Sequence, residues 1–219
     1  MTSYEITLIE NETDARLCAQ LLAQEFSTSN PMIVFRKRTS QQLFETFFWP
    51  MVTEVLDEKL SFLVRYRPTN EIVATMIAND LFPYCQKYPG PTSVNPVADV
   101  HTELRNQFVQ HDLPRPLEPN MVIFLSAGAT SSEHAGKGIG ARLRAHICRY
   151  ARDNRGFQYG FAQTSNPATR RIYSTKLNAK ETAVVHLKTW LWKRADHDDS
   201  YPFQDYDGEP IANFFIELK

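Results

Sequence analysis

Seven residues, His134-Ala135-Gly136-Lys137-Gly138-Ile139-Gly140, place glycines at alternate positions between an apolar run and an amphipathic segment. Glycine enters left-handed backbone angles at no steric cost, so alternate glycines let the chain curl with several N–H groups pointing one way. Ahead of a helix, those groups join its positive end and hold phosphate oxygens without any side chain. The chemistry expected here is recognition of a phosphorylated ligand.

Spacing narrows which one. A Walker loop requires a glycine five residues before Gly136 and a Ser or Thr after the lysine, where this chain has Ser131 and Gly138. A dinucleotide fingerprint requires a third glycine three residues after the second. Gly140 follows Gly138 by two, and the pair Gly138, Gly140 is followed by Leu143. The acid expected at the end of the next strand is replaced by Gln163-Thr164. Both patterns fail.

The loop needs a strand before it and a helix after it, and the sequence supplies both. Met121-Val122-Ile123-Phe124-Leu125-Ser126-Ala127 reads as a buried strand. Ile139, Leu143, Ile147 and Tyr150 share one face of a helix running to about Asn154. Gly156 to Ala162 forms the next strand, and Asn166-Pro167 opens another helix with an N-cap and a proline at its first position.

Upstream, Tyr4 to Ile9 alternates as a strand, and Asn11-Glu12-Thr13-Asp14 offers capping chemistry for a helix through Phe26. After a break at Ser27 to Pro31, a helical stretch covers Gln41 to Leu56, with Pro50 expected to kink or divide it. Leu60–Tyr66 and Glu71–Ile77 form a hairpin around Pro68-Thr69-Asn70. Residues 80–119 then interrupt the order with one helix candidate, Val97 to His111, and read as a lid or as a surface insertion. Two strands end the chain, about Thr182 to Trp192 and Ile211 to Leu218. The expected fold class is α/β: a single mixed, mostly antiparallel central sheet flanked by helices. An insertion of roughly 40 residues precedes its fourth strand, and residues 1–219 form a single domain.

Composition excludes several functions. With 24 Lys+Arg against 25 Asp+Glu, the net charge of -1 leaves no electrostatic footprint for nucleic acid or a membrane surface. No apolar run reaches the roughly 20 residues that cross a bilayer. The first residues lack a basic segment followed by an apolar core, so a cytoplasmic location is expected. Cys18, Cys85 and Cys148 are widely spaced without a C-x-x-C pair, which fits free thiols better than a disulfide or zinc site, and no metal is expected.

The segment Ala135 to Ala141 followed by a helix resembles the pyrophosphate loop of the GNAT superfamily of N-acetyltransferases, whose usual form is Arg/Gln-x-x-Gly-x-Gly/Ala. Asn166 to Leu177 resembles the same family's second motif, an Asn followed seven positions on by a Tyr, here Tyr173. Phe26-x-x-x-Asn30-Pro31-Met32 is similar to the insect arylalkylamine N-acetyltransferase branch. Ala135 departs from the usual Arg or Gln, and Asn30 stands where that branch has a catalytic Glu; an amide cannot take a proton at neutral pH.

The resemblance implies an acetyl-CoA-dependent N-acetyltransferase acting on the primary amine of a small molecule, as a monomer or homodimer. A non-catalytic acyl-CoA-binding or regulatory module of the same fold is the alternative. The cofactor would be held by Gly128 and Thr130 on the strand, by Gly136, Lys137, Gly138, Ile139, Gly140 and Ala141 at the loop, and by Asn166. Asn166 reads equally as a helix cap. Tyr173 is the implied catalytic acid for the leaving thiolate, its phenol protonated at neutral pH; the other reading is a core tyrosine. No general base stands out among His134, His101, His111, His186 and Glu133. Trp190, Trp192, Tyr201, Phe203 and Tyr206 alternate with Asp196, Asp198, Asp199, Asp205, Asp207 and Glu209, a composition that suits a cationic amine or a solvated loop.

Overall fold

The computed structural model describes residues 3–92, 94–193 and 198–219, so Asp196 of the acidic loop lies outside the described residues. Seven strands form one sheet: β1 (Tyr4–Leu8), β2 (Phe62–Tyr66), β3 (Glu71–Asp80), β4 (Val122–Thr130), β5 (Tyr159–Thr164), β6 (Lys180–Val185) and β7 (Ile211–Glu217). They lie in the order β1-β2-β3-β4-β5-β7-β6. Only β4 and β5 run parallel; every other neighbouring pair is antiparallel. The mixed, mostly antiparallel sheet read from the sequence is the one observed.

Helices cover both faces. α1 (Glu12–Ser29) begins where Asn11 Oδ1 accepts from Asp14 N at 2.9 Å. The helix continues through Ser27-Thr28-Ser29, where a break was expected, and the three hydroxyls bond back to carbonyls of their own helix. Asn30 then ends α1 and caps α2 (Pro31–Phe35), its Oδ1 accepting from Met32 N and Ile33 N. The stretch expected to be divided by Pro50 is α3 (Ser40–Leu43), a π-helical turn over Phe44–Phe48, and α4 (Trp49–Val55). Proline offers no N–H and its ring presses on the carbonyl four residues back, so the wider turn just ahead of it relieves the conflict.

The connection between β3 and β4 holds two helices, α5 (Leu81–Lys87), which periodicity did not reveal, and α6 (Pro96–Gln107), which continues as a π-helical turn to Asp112. One carboxylate pins both ends of this connection: Asp80 Oδ1 accepts from Phe82 N at 3.0 Å and Oδ2 from Asn120 N at 2.7 Å. α7 (Ile139–Arg155) and α8 (Pro167–Lys176) complete the chain.

The two faces divide cleanly. α7 and α8 pack on Val64, Met76, Ile123, Leu125, Ala162, Phe214 and Ile216. The opposite face carries α1, α3 and α4 over Leu63, Ile77 and Ala127. On that same face, α5 and the end of α6 lie over Phe124 and Phe161. β6 ends at Val185, short of the expected Trp192, because the chain turns through Leu187–Thr189 and drives its tryptophans into a further apolar cluster. There Trp190, Trp192, Phe203 and Tyr206 pack with Val100 and Leu104 of α6.

Candidate active site

The glycine turn has the geometry its spacing requires. Gly136 and Gly138 adopt φ of +74° and +72°, and no atom lies within 4 Å of where either Cβ would be, so backbone angle alone selects glycine there. Gly138 is the N-cap of α7, no side chain caps the helix, and the first helical bond runs from Arg142 N to Gly138 O. The N–H groups of Ile139, Gly140 and Ala141 precede that bond and point out of the helix start. Lys137 reaches back to Glu133 O at 3.2 Å, which keeps its ammonium beside the turn. Together these groups fit a pyrophosphate, with backbone as the principal donor and one lysine for charge.

Gly140 matters for packing. A Cβ on it would stand 3.2 Å from an Arg144 terminal nitrogen and 3.3 Å from Thr130 Oγ1, so the turn presses on the end of β4. Gly128, two residues earlier on β4, is tighter still. Its Cβ would fall 2.3 Å from Met76 Sδ and 3.1 Å from Arg144. The start of α7 thus meets the end of β4 at Gly140 and Thr130, and Arg144 lies against both Gly140 and Gly128. His134 is elsewhere in character: it is buried, with Nδ1 3.0 Å from Tyr4 Oη and its ring edge-on to Tyr4 and Tyr66.

β4 and β5 pair only as far as Leu125 opposite Ala162. Beyond that point β4 carries a bulge: Ile77 faces Ala127 and Ala78 faces Leu125, leaving Ser126 as the extra residue. Ser126 Oγ donates to Ile77 O at 3.0 Å and fixes the bulge. β5 meanwhile stays paired with β7 along its whole length, through Gln163 and Thr164. The strands therefore part, and the backbone on their inner edges beyond Leu125 and Ala162 is released from sheet pairing. A slot of this kind can take the amide-bearing arm of a ligand.

Tyr173 of α8 lies on the α7 face of the sheet, between Phe214 and Arg144. It is 1% exposed, stacks on Phe214 at 5.3 Å between centroids, and accepts from Arg144 Nε at 3.3 Å. Arg144, which periodicity did not single out, is 6% exposed and donates to Gly140 O at 3.1 Å. No carboxylate pairs with it among the described residues. Burial pushes the Tyr173 phenol above its ordinary value, while the Arg144 charge beside it pulls the other way. Asn166 Oδ1 caps α8 by accepting from Thr169 N at 3.1 Å, so capping accounts for that atom.

The opposite face presents a second polar group. His101 of α6 lies with Nδ1 3.1 Å from Gln163 Oε1, the first β5 residue past the last β4–β5 pair. Gln163 Nε2 bonds His101 O and Asn213 Oδ1, each at 3.0 Å, and Asn213 Nδ2 donates to Leu104 O at 2.7 Å. The sequence held no periodic signal for this triad, since its members come from α6, β5 and β7. His186 follows β6, and His111 lies in the π-helical turn after α6.

The acidic, aromatic loop is largely an anchor. Trp190 Nε1 donates to Glu103 and Trp192 Nε1 to Asp99, each at 2.8 Å, which fastens α6 to the chain after β6. Tyr201 stays exposed, and Lys188 meets Asp207 at the surface.

No family model matches the chain, and no curated protein matches it by sequence. Solved structures do. The C-terminal condensation domain of Ebony, in complex with beta-alanyl-dopamine, superposes with a TM-score of 0.78 at 15% identity, over 99% of this chain and 100% of that one. Arylalkylamine N-acetyltransferase 2 from Aedes aegypti gives 0.73 at 15% identity, over all of both chains. Drosophila melanogaster polyamine N-acetyltransferase, which catalyses formation of N-acetylagmatine, gives 0.63 at 13% identity, over 97% of this chain and 100% of that one. The sheet order, the parting of β4 from β5 and these superpositions agree: the chain has the acyl-CoA N-acyltransferase fold of the GNAT acetyltransferases.

Proposed function

We propose that this protein is an N-acetyltransferase that moves an acetyl group from acetyl-CoA to the primary amine of a small molecule. The observation that carries the reading is the juxtaposition of a left-handed glycine turn at the start of α7 with the slot between β4 and β5. The turn suits a pyrophosphate, and the slot suits the extended arm that would follow it. Gly128 and Thr130 are the β4 contacts of that arm, Gly136 to Ala141 hold the pyrophosphate, and Asn166 borders it while capping α8. Bound there, acetyl-CoA supplies the thioester whose acyl group is transferred.

The chain's own residues account for the proton steps at the sulfur. Arg144 has no acceptor atom, so Tyr173 Oη must accept from it and keeps its own proton to give away. Burial holds that phenol protonated at neutral pH, as a general acid for the departing thiolate must be. The guanidinium then faces the charge that develops beside it. Tyr173 and Arg144 fill the α7 face of the slot, so the amine reaches it from the face of α1 and α6.

Small amines as acceptors are supported by the names of matched structures, which include arylalkylamine and polyamine acetyltransferases. The Ebony domain, solved in complex with beta-alanyl-dopamine, is named for a condensation. Incubation with acetyl-CoA and a primary amine tests the reading: free thiol must appear only when protein, thioester and amine are all present. A protein that binds CoA tightly and releases none with any amine is the binding module instead.

A further inference from the structure

The acceptor side of the slot holds an imidazole whose tautomer is fixed by two backbone carbonyls. Leu104 O can only accept, so the group of Asn213 that meets it is the Nδ2 amide, and Asn213 Oδ1 must face Gln163. His101 O can likewise only accept, so Gln163 presents Nε2 to it and to Asn213 Oδ1. Gln163 Oε1 is thereby left facing His101 Nδ1 at 3.1 Å. An amide oxygen has no proton to give, so Nδ1 carries the hydrogen. Nε2 is then an unprotonated acceptor.

We infer that His101 is the general base for the acceptor amine, with Gln163 and Asn213 as the positioning residues that hold it in the Nδ1–H tautomer. The inference rests on the acetyltransferase reading above. His101 abuts β5 at the residue where β4 departs, on the α1 and α6 side of the sheet that the proposed function assigns to the amine. Its nitrogen Nε2 takes one proton from the substrate ammonium, breaking an N–H bond there and forming one on the ring. The freed amine nitrogen forms the C–N bond as the thioester C–S bond breaks and Tyr173 protonates the sulfur; the second N–H proton of the new amide nitrogen passes through water to the tyrosinate, and the imidazolium returns its proton to water. Burial holds the imidazole below its ordinary value, opposed only by the Gln163 hydrogen bond, so it is neutral and receptive at pH 7 and above. Asn30, at the position of the arylalkylamine branch's catalytic Glu, caps a helix through its Oδ1.

Two readouts test this. Nitrogen NMR of histidine-labelled protein, with His101→Gln identifying the resonance, must show Nδ1 protonated and Nε2 bare at pH 8, and Gln163→Leu must convert this to a mixture of tautomers. This needs no bound ligand. In steady state with acetyl-CoA and tyramine, agmatine or spermidine, kcat/KM must fall on the acid side through an ionisation below 6.5. His101→Gln must lose that limb and roughly 10²-fold or more in kcat with KM for acetyl-CoA unchanged. Gln163→Leu must lower kcat in the same sense. A protonated Nε2 in the wild-type spectrum, or an acid limb unchanged in His101→Gln, overturns the base assignment alone. Absence of turnover in the wild type overturns the acetyltransferase reading, and the base falls with it.

Discussion

Arg144 Nε donates to Tyr173 Oη across 3.3 Å, joining α7 to α8 where both side chains are almost wholly buried. A guanidinium at that depth with no carboxylate paired to it among the described residues is costly, and it meets the Tyr173 hydroxyl, the same residue's ring at 5.5 Å and a backbone carbonyl. The pair therefore sets a charge beside an acid, next to the strand that would carry a thioester.

Tyr173→Phe keeps the ring stacked on Phe214 and removes only the hydroxyl. We expect kcat to fall by about 10²-fold or more with CoA affinity nearly unchanged, measured by steady-state kinetics beside calorimetry. Arg144→Met should act in a graded way. Its charge opposes the rise that burial imposes on the phenol, so its loss moves the basic limb of the kcat/KM profile to higher pH. A basic limb that stays in place would separate Arg144 from the chemistry.

The glycines of the turn and of β4 should fail differently. Gly138→Ala meets no neighbour but must hold φ of +72°, a strain of roughly 1–2 kcal/mol, and should weaken CoA binding while leaving the fold intact. Gly128→Ala collides with Met76 and Arg144, so it should lower thermal stability as well as activity. Melting curves and CoA titrations of the two variants distinguish strain from collision.

The element order, the glycine turn and the Asn166 cap were legible because each is local: a 3.6 or 2.0 periodicity, a turn residue, a capping oxygen. The slot was legible only in outline, since the bulge at Ser126 depends on how β3 and β4 register. Arg144 was invisible because an arginine among polar helix positions reads as solvated. Only the fold shows that it turns inward toward Gly128. Trp190 and Trp192 read as the end of a strand beside an acidic loop, because their partners Glu103 and Asp99 lie far upstream. His101 stood in view, but the Gln163 and Asn213 that fix its tautomer come from strands with no common periodicity.

The anchoring of α6 has a measurable cost. Asp99 is 1% exposed and accepts from Thr92 N and Thr92 Oγ1 as well as from Trp192 Nε1. Asp99→Ala strands these donors and should destabilise the fold by about 3 kcal/mol in urea unfolding. Because α6 carries His101, activity should fall further than stability accounts for under fully folding conditions.

Stability should also follow the His101 imidazole. Its folded pKa lies below 6.5, so between that value and 6.5 the unfolded chain binds more protons than the folded one. The contribution is absent above pH 6.5 and destabilises as pH falls through it. His101→Gln should flatten that portion of the stability profile, read from unfolding curves between pH 7.5 and about pH 5.

Thiol reagents give an independent check of packing. Burial pushes Cys18 and Cys148 up to about 12, so neither forms appreciable thiolate at pH 8. Cys85 is only partly buried. One thiol, Cys85, should react in the native protein and three in denaturant, and rapid native labelling of Cys148 would contradict the packing of α7.

The most direct measurement is mass spectrometry of the amine after incubation with acetyl-CoA, using tyramine, agmatine and spermidine in parallel with the wild type and Tyr173→Phe. The account predicts an N-acetylated product from at least one amine, formed with one free CoA per amide and at least about 10²-fold more slowly by the variant. Tight CoA binding without any acetylated amine would contradict it.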